Sequence, residues 1–589
     1  MSATLDSIRT REQLRTFHLT GRGLEERIPP AALRPVAIDK IAGSLSDVES
    51  HYPMCVLPGG PARPLRDLVA GLEHAGIIVS AFRGALNGRS SMALDDAVKK
   101  AIPTLNECSP GEILKLRKLL PAGAFLLGFQ RDAAVLLHAA ALAEARQKQR
   151  TSFWDNVKRT AARMHEILML DESHGPSALS SDSVAAALGS GVGSFFKPSL
   201  LAEALQRPSN PLLRMEPARR ERCEQALGAL EEGIHEAANQ PAFWLFHSGI
   251  FGATSTPAEV IAFNGHARWA VDSFAAAEQF CQARLGQLTT LLRALRTARL
   301  EIDSQFEPAV HSEMIERFDW ESASPEELAA LPPIVVIETA SYFGQASLTS
   351  FGRLLRSGLP VQVLVVRAGI EARDVSEFTP DFGYLAIAHR ESFVLQSSLA
   401  EPSHLLPGLA TMAKTLRPAV AVLSTPARSD DERAAWLEES LLIFSRAFPL
   451  YTYNPEAGQR WAERFHLTAV VDGSSVLTAA DAAALSPELR HNFRVIGAED
   501  WNSEQVEFGA YLEQMGKAIP YLWVDGPGGV QQRALMSRTL VNFCVDRRRG
   551  WTLFEELGRL GKPQVVPDEN ARQQGAREAI QKVIALLTA

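Results

Sequence analysis

Between residues 332 and 425, short unbroken apolar runs alternate with segments whose apolar positions recur every three or four residues. Ile334-Val335-Val336-Ile337 is one such run, Gln345 to Ser357 reads as a helix that Gly358 can cap, and Val361-Gln362-Val363-Leu364-Val365-Val366 is a second run. Runs rich in β-branched residues belong to strands covered on both faces, and two of them joined by a helix make a βαβ unit with parallel strands. The alternation continues through Tyr384–Ala388, a helix around 402–415, the strand Ala419–Ser424 and a helix opened by the capping box Ser429-Asp430-Asp431-Glu432. The fold class that follows is α/β, a mainly parallel sheet with helices on both faces.

Upstream the period is helical. Ser109-Pro110-Gly111-Glu112 offers an N-cap serine, a proline at the first helical position and a capping-box glutamate. Phe153, Trp154, Val157, Ala161, Met164 and Leu168 share one helix face; residues 131–149 and 216–239 read similarly, and a further helix carrying Leu285, Leu288, Leu292 and Leu295 runs to about 302. Residues 1–100 hold seven prolines between Pro29 and Pro64, which leaves room only for short elements and long loops. Past about 505 the chain reads as a helix, a strand Tyr521–Asp525, the turn Gly526-Pro527-Gly528-Gly529, a strand Val530–Met536 and a helix from Ser537 to about Leu560. These shifts divide the chain into an irregular region 1–105, a helical domain 106–240, an α/β domain 241–480 and a small α+β appendage 481–589.

Composition narrows the chemistry. Sixty Lys+Arg against 68 Asp+Glu give a net charge of −8, without the basic excess of a nucleic-acid binder. The longest uncharged stretch, Ala237–Ala258, is broken by Pro241, Gly249, Gly252 and Pro257, so no membrane span is expected, and the charged N-terminus does not read as a secretory signal. A cytoplasmic protein is the expectation. Cys55, Cys108, Cys223, Cys281 and Cys544 are dispersed with no Cys-x-x-Cys pair, which argues against a disulfide scaffold and against a local zinc or iron–sulfur motif.

The histidines make no His-x-x-x-His pair, and only convergence in space could gather His235, His247 and His266; no metal site is expected. Gly189-Ser190-Gly191-Val192-Gly193-Ser194 is glycine-dense but follows an apparent helix, Val184–Leu188, so it reads as a helix-breaking linker rather than a phosphate loop. Gly-x-Ser-x-Gly is absent, and with it the nucleophile elbow of a hydrolase.

Four stretches in order, Leu331–Ile337, Phe351–Val365, Phe382–Arg390 and Ser445–Pro455, resemble the thiamine-diphosphate-binding domain of the pyruvate:ferredoxin (2-oxoacid:acceptor) oxidoreductases. The resemblance covers about 318–458, with weaker similarity back to about 240 and on through the appendage. It implies an Mg²⁺ held by an Asp in a Gly-Asp-Gly after the first strand and an Asn after the next, hard oxygen ligands that clamp the cofactor diphosphate. At the corresponding places this chain has Glu338-Thr339-Ala340-Ser341, with Ala340 for the Asp, and Arg367-Ala368-Gly369-Ile370-Glu371-Ala372-Arg373-Asp374, with Arg373 for the Asn. A guanidinium beside a cation site opposes binding by about 4 kcal/mol per unit-charge pair at 4 Å and a dielectric near 20, doubled for a divalent ion.

The resemblance therefore implies a degenerate member with no cofactor expected, thiamine diphosphate and Mg²⁺ being disfavoured. Two rescues stand beside it: Glu338 supplying a displaced carboxylate, and Arg367 with Arg373 holding an anion without a metal. It also implies association in pairs, so a second copy or a larger iron–sulfur oxidoreductase subunit is the expected partner. The helical block 109–240 and the C-terminal helix with Arg547-Arg548-Arg549 and Trp551 are the expected contact surfaces.

Overall fold

The computed structural model describes residues 2–23, 33–40, 45–57, 60–173, 180–192, 197–206, 215–250, 260–261, 263–343, 345–370, 381–427, 431–468, 477–514, 518–526 and 529–558. They form three sheets. The first is antiparallel, built from β1 (Met54–Val56), β2 (Ala62–Pro64), β3 (Ser91–Ala93) and β4 (Phe125–Leu127) in the order β2-β1-β4-β3. β4 pairs with both β1 and β3, so one sheet joins residues on both sides of the 105/106 division expected from sequence. Helices Ala75–Leu86 and Leu94–Ala101 give this unit a core of its own, with Phe82, Leu86, Ala97 and Leu126 buried. Successive residues of a strand face opposite ways: Cys55 enters this small core while Met54 and Val56 enter the main one.

The central sheet has eight strands: β5 (Phe243–His247), β6 (Gly265–Trp269), β7 (Ile334–Thr339), β8 (Val361–Ala368), β9 (Phe393–Ser398), β10 (Ala419–Thr425), β11 (Leu450–Tyr453) and β12 (Phe465–Thr468). Their order is β12-β11-β9-β10-β8-β7-β5-β6. The six strands β5 to β10 are parallel, and β11 and β12 are antiparallel additions at one edge. Helices cover both faces: Gly408 of Pro402–Lys414 lies against the Leu395 side chain, whereas Gly383 of Phe382–Ala388 lies against Gln396, its neighbour on β9 that points the other way. A Cβ at Gly383 would sit 2.0 Å from Tyr451 Oη, so this helix reaches its depth only because the position is glycine.

Two departures from the sequence reading concern this sheet. Tyr384–Ala388, which takes a strand's place in the alternation, is helical because Asp381 caps it, Oδ1 accepting from Tyr384 N at 3.0 Å. The strand is Phe393–Ser398 instead. The helix after β10 begins at Glu432 with Asp431 as cap, accepting from Arg433 N and Ala434 N, while Ser429 and Asp430 of the expected box lie outside the described residues.

The segments 131–149 and 153–168 are one helix, Ala133–Ser173, which packs with Pro217–Ala238 and Ser273–Ile302. Its buried Arg146 donates to Ala413 O at 3.0 Å and Thr415 O at 2.9 Å, satisfying carbonyls at the end of the helix between β9 and β10. Buried Glu301 ties the other two helices together, accepting from Arg219 Nε at 2.8 Å and Arg222 Nε at 2.9 Å. Helix Ser181–Val192 is kinked at Gly189, whose φ is 66°; Gly193 and Ser194 of the glycine-dense segment lie outside the described residues.

The third sheet, β13 (Phe493–Ile496), β14 (Gln505–Glu507), β15 (Ile519–Asp525) and β16 (Gln531–Met536), has the order β13-β16-β15-β14, and helix Arg538–Gly558 follows with Ser537 as its cap. Against this sheet packs a feature with no counterpart in the sequence reading, the N-terminal helix Ser2–Thr20, whose Leu14 and Phe17 are buried with Ile496, Ile519 and Leu535.

Candidate functional site

Parallel sheets bind ligands beyond the carboxyl ends of their strands, and a cavity of about 620 Å³ runs from the ends of β7 and β8 over one face of β9 and β10. Ala340 after β7, Arg367 of β8, Gln396 of β9 and Val422 of β10 form its floor. Phe382 and Leu385 wall one side, Arg446–Pro449 a second, and Asn542, Arg547, Trp551 and Phe554 of the C-terminal helix a third. Trp551 is 9% exposed, so it faces this cavity and the core and not the protein surface expected of it.

Three guanidiniums border the cavity. Arg446, in the left-handed region at φ 62°, lies over the Trp551 ring at 5.1 Å, a cation–π contact. Arg547 Nη2 is 2.7 Å from Asp546 Oδ2, and its Nε is buried without a hydrogen-bond partner. Arg367 Nε donates to Gly369 O at 3.3 Å. The two carboxylates at the rim are both committed, Asp381 to its helix cap and Asp546 to Arg547.

Of the four residues expected at a degenerate cofactor site, Ala340 and Arg367 meet at the cavity. Glu338 does not line it. Its carboxylate is buried and accepts from Ser248 Oγ and Ser273 Oγ, both at 2.5 Å; burial raises its pKa against the pull of these two donors. Arg373 lies outside the described residues. Of the two places where the resemblance puts the Mg²⁺ ligands, the described one holds Ala340, whose methyl group supplies no ligand where a hard oxygen is needed.

Close by, Glu439 of helix Glu432–Phe444 is buried among the strand ends. Oε2 accepts from Ser398 Oγ at 3.0 Å, and burial pushes the carboxyl up to about 8 against the pull of the Ser424 and Ser398 hydroxyls. On the other face of β9, Ser397 Oγ and His404 Nδ1 are 2.9 Å apart, with the imidazole pKa held down to about 4 by burial. Sequence reasoning found neither group: Ser398 is 41 residues from Glu439, and the Ser397–His404 pair spans a strand-to-helix turn that no motif marks.

His235, His247 and His266 form no ligand group. Among the described residues, the one cluster of His, Cys, Asp and Glu donors is His74, Cys108 and Glu112, whose donor atoms all lie within 4.8 Å of one another. Glu112 was expected to close a capping box with Ser109. Only half of that box exists: Ser109 Oγ accepts from Glu112 N at 3.2 Å, but the carboxylate turns to His74, accepting from its backbone N and meeting its Nδ1, each at 2.9 Å.

No protein-family model matches the chain, and no curated protein matches it. No helix among the described residues is long and apolar enough to cross a membrane.

Proposed function

We propose that the chain is a non-catalytic relative of the 2-oxoacid:acceptor oxidoreductases, a cytoplasmic scaffold subunit that keeps a thiamine-domain type of sheet and has lost the cofactor clamp. One observation carries this reading: at the carboxyl ends of β7 and β8 the cavity wall is made of Ala340 and Arg367, while the nearest strand carboxylate, Glu338, is occupied by two serines. On this reading the chain works in an assembly, with a second copy or with a larger subunit that carries iron–sulfur clusters.

The test is thermal unfolding with millimolar thiamine diphosphate and Mg²⁺. A ligand at 100 times its Kd adds about 2.7 kcal/mol, so a flat response is expected and a clear upward shift with 2-oxoacid turnover overturns the reading. The three guanidiniums around an apolar cavity favour a second reading, an anionic cofactor bound without a metal. A shift produced by the diphosphate alone and lost in Arg367→Ala selects it.

A further inference from the structure

We propose that His74, Cys108 and Glu112 form a three-ligand site for Zn²⁺, placed in the small N-terminal unit and independent of the cavity at the central sheet. The donors are an imidazole nitrogen, a thiol sulfur and a carboxylate oxygen gathered within 4.8 Å of one another. That mixture suits zinc, whereas Mg²⁺ and Ca²⁺ take oxygen ligands alone. Zinc–ligand bonds of about 2.0–2.3 Å set donor–donor edges of about 3.3–3.6 Å in a tetrahedron. The 2.9 Å between His74 Nδ1 and Glu112 Oε2 need only open slightly, and Cys108 Sγ need only move inward. Three protein ligands leave the fourth position for water.

Two further observations support a cation here. The charges acting on His74 are those of Glu112, Glu73 and Glu107, and those on Cys108 are of Glu112 and Glu107, three carboxylates close enough to attract a cation. The Glu112 carboxylate has also left the capping role its sequence position assigns and is oriented by the His74 backbone N–H, as a fixed ligand is by its outer partners. His74 stands immediately before helix Ala75–Leu86, and Cys108 and Glu112 flank the start of helix Pro110–Leu119, so the donors gather where two helices of one core begin. On binding, Cys108 gives up its thiol proton and His74 the Nδ1 proton that it donates to Glu112, leaving a proton on Nε2 only, so affinity rises with pH.

The full-length protein, stripped with a chelator, is titrated with Zn²⁺ and with Co²⁺ as a spectroscopic substitute. One ion per chain is expected, with a thiolate-to-cobalt charge-transfer band in the near ultraviolet that Cys108→Ser abolishes while weakening Zn²⁺ binding by at least about 100-fold. Metal-free Cys108→Ser should melt as the metal-free wild type does. A readout on the unaltered chain guards against a variant that fails to fold: Zn²⁺ should slow alkylation of Cys108 at least about tenfold, reversibly with chelator, leaving the other four cysteines unchanged. Absence of the thiolate band, or alkylation of Cys108 at the same rate with and without Zn²⁺, overturns the proposal and leaves His74–Glu112 as a structural clip.

Discussion

Arg83 Nε lies 2.6 Å from Glu432 Oε2, joining the small N-terminal unit to the helix that follows β10 across 349 positions of sequence. The same guanidinium reaches Glu49 Oε1 at 2.9 Å, and Arg433 meets that oxygen at 2.7 Å. Both ends of the central pair are largely shielded from water, so removing one leaves a carboxylate without its partner. Arg83→Ala is expected to cost about 1–3 kcal/mol in urea unfolding, with faster amide exchange in residues 65–105 ahead of the central sheet.

Glu439 sets a pH dependence. Its folded pKa of about 8 stands above the ordinary 4.5, so between these values the folded protein holds a proton that the unfolded chain has released. Stability then falls as pH rises, by about 1.4 kcal/mol per unit from this group, and the loss is complete above pH 8. Asp481, raised from 3.8 to about 6, acts with the same sign in a lower window. Glu439→Gln removes this group's share: the variant should gain on the wild type between pH 4.5 and about 8 in denaturant titrations, and an unchanged difference across that range would contradict the assignment.

Glu338 should respond more weakly to the same substitution. Both of its oxygens have serine hydroxyl donors, and with an amide one serine hydroxyl turns to accept from the new N–H. The weaker hydrogen bonds offset the burial cost removed with the charge, so Glu338→Gln is expected to change stability by less than about 1 kcal/mol at pH 7 in chemical denaturation. A carboxylate held in reserve for a ligand would instead make the protein more stable when neutralised.

Two helical glycines make a steric contrast. Alanine at Gly383 meets Tyr451 Oη and should cost about 1–3 kcal/mol through the displacement it forces. Alanine at Gly84, inside helix Ala75–Leu86 with nothing within 4 Å, should add about 0.5–1 kcal/mol. Paired melting curves read both.

The strands at 334, 361 and 419 were legible because each is a run of buried β-branched residues between two helical layers. β6 was not: Gly-His-Ala-Arg-Trp sits at the sheet edge with much of its surface in water, so its sequence carries no strand pattern. The strands of the first sheet are three residues long, too short to show a period. Tyr384–Ala388 has a strand's composition, and what makes it a helix is a cap at Asp381 and the clearance at Gly383. At the candidate sites, Ala340 and Arg367 were visible through a resemblance along the chain. Cys108 and His74 are 34 residues apart, each just ahead of a different helix, and no linear motif joins them.

The burial of Phe17 against Leu535 bears on how the protein is made. Phe17 leaves the ribosome 518 residues before the strand that covers it. At about 5–20 residues per second this is an interval of roughly 25–100 s. Until Ile496 emerges, for most of that interval, the apolar side of the first helix has none of these partners, while the small core around Phe82 and Leu126 can already close. Synthesis thus presents the chain's first helix to chaperones as its last to be covered, and a ribosome halted before β13 leaves a nascent chain whose N-terminal helix has nowhere to dock.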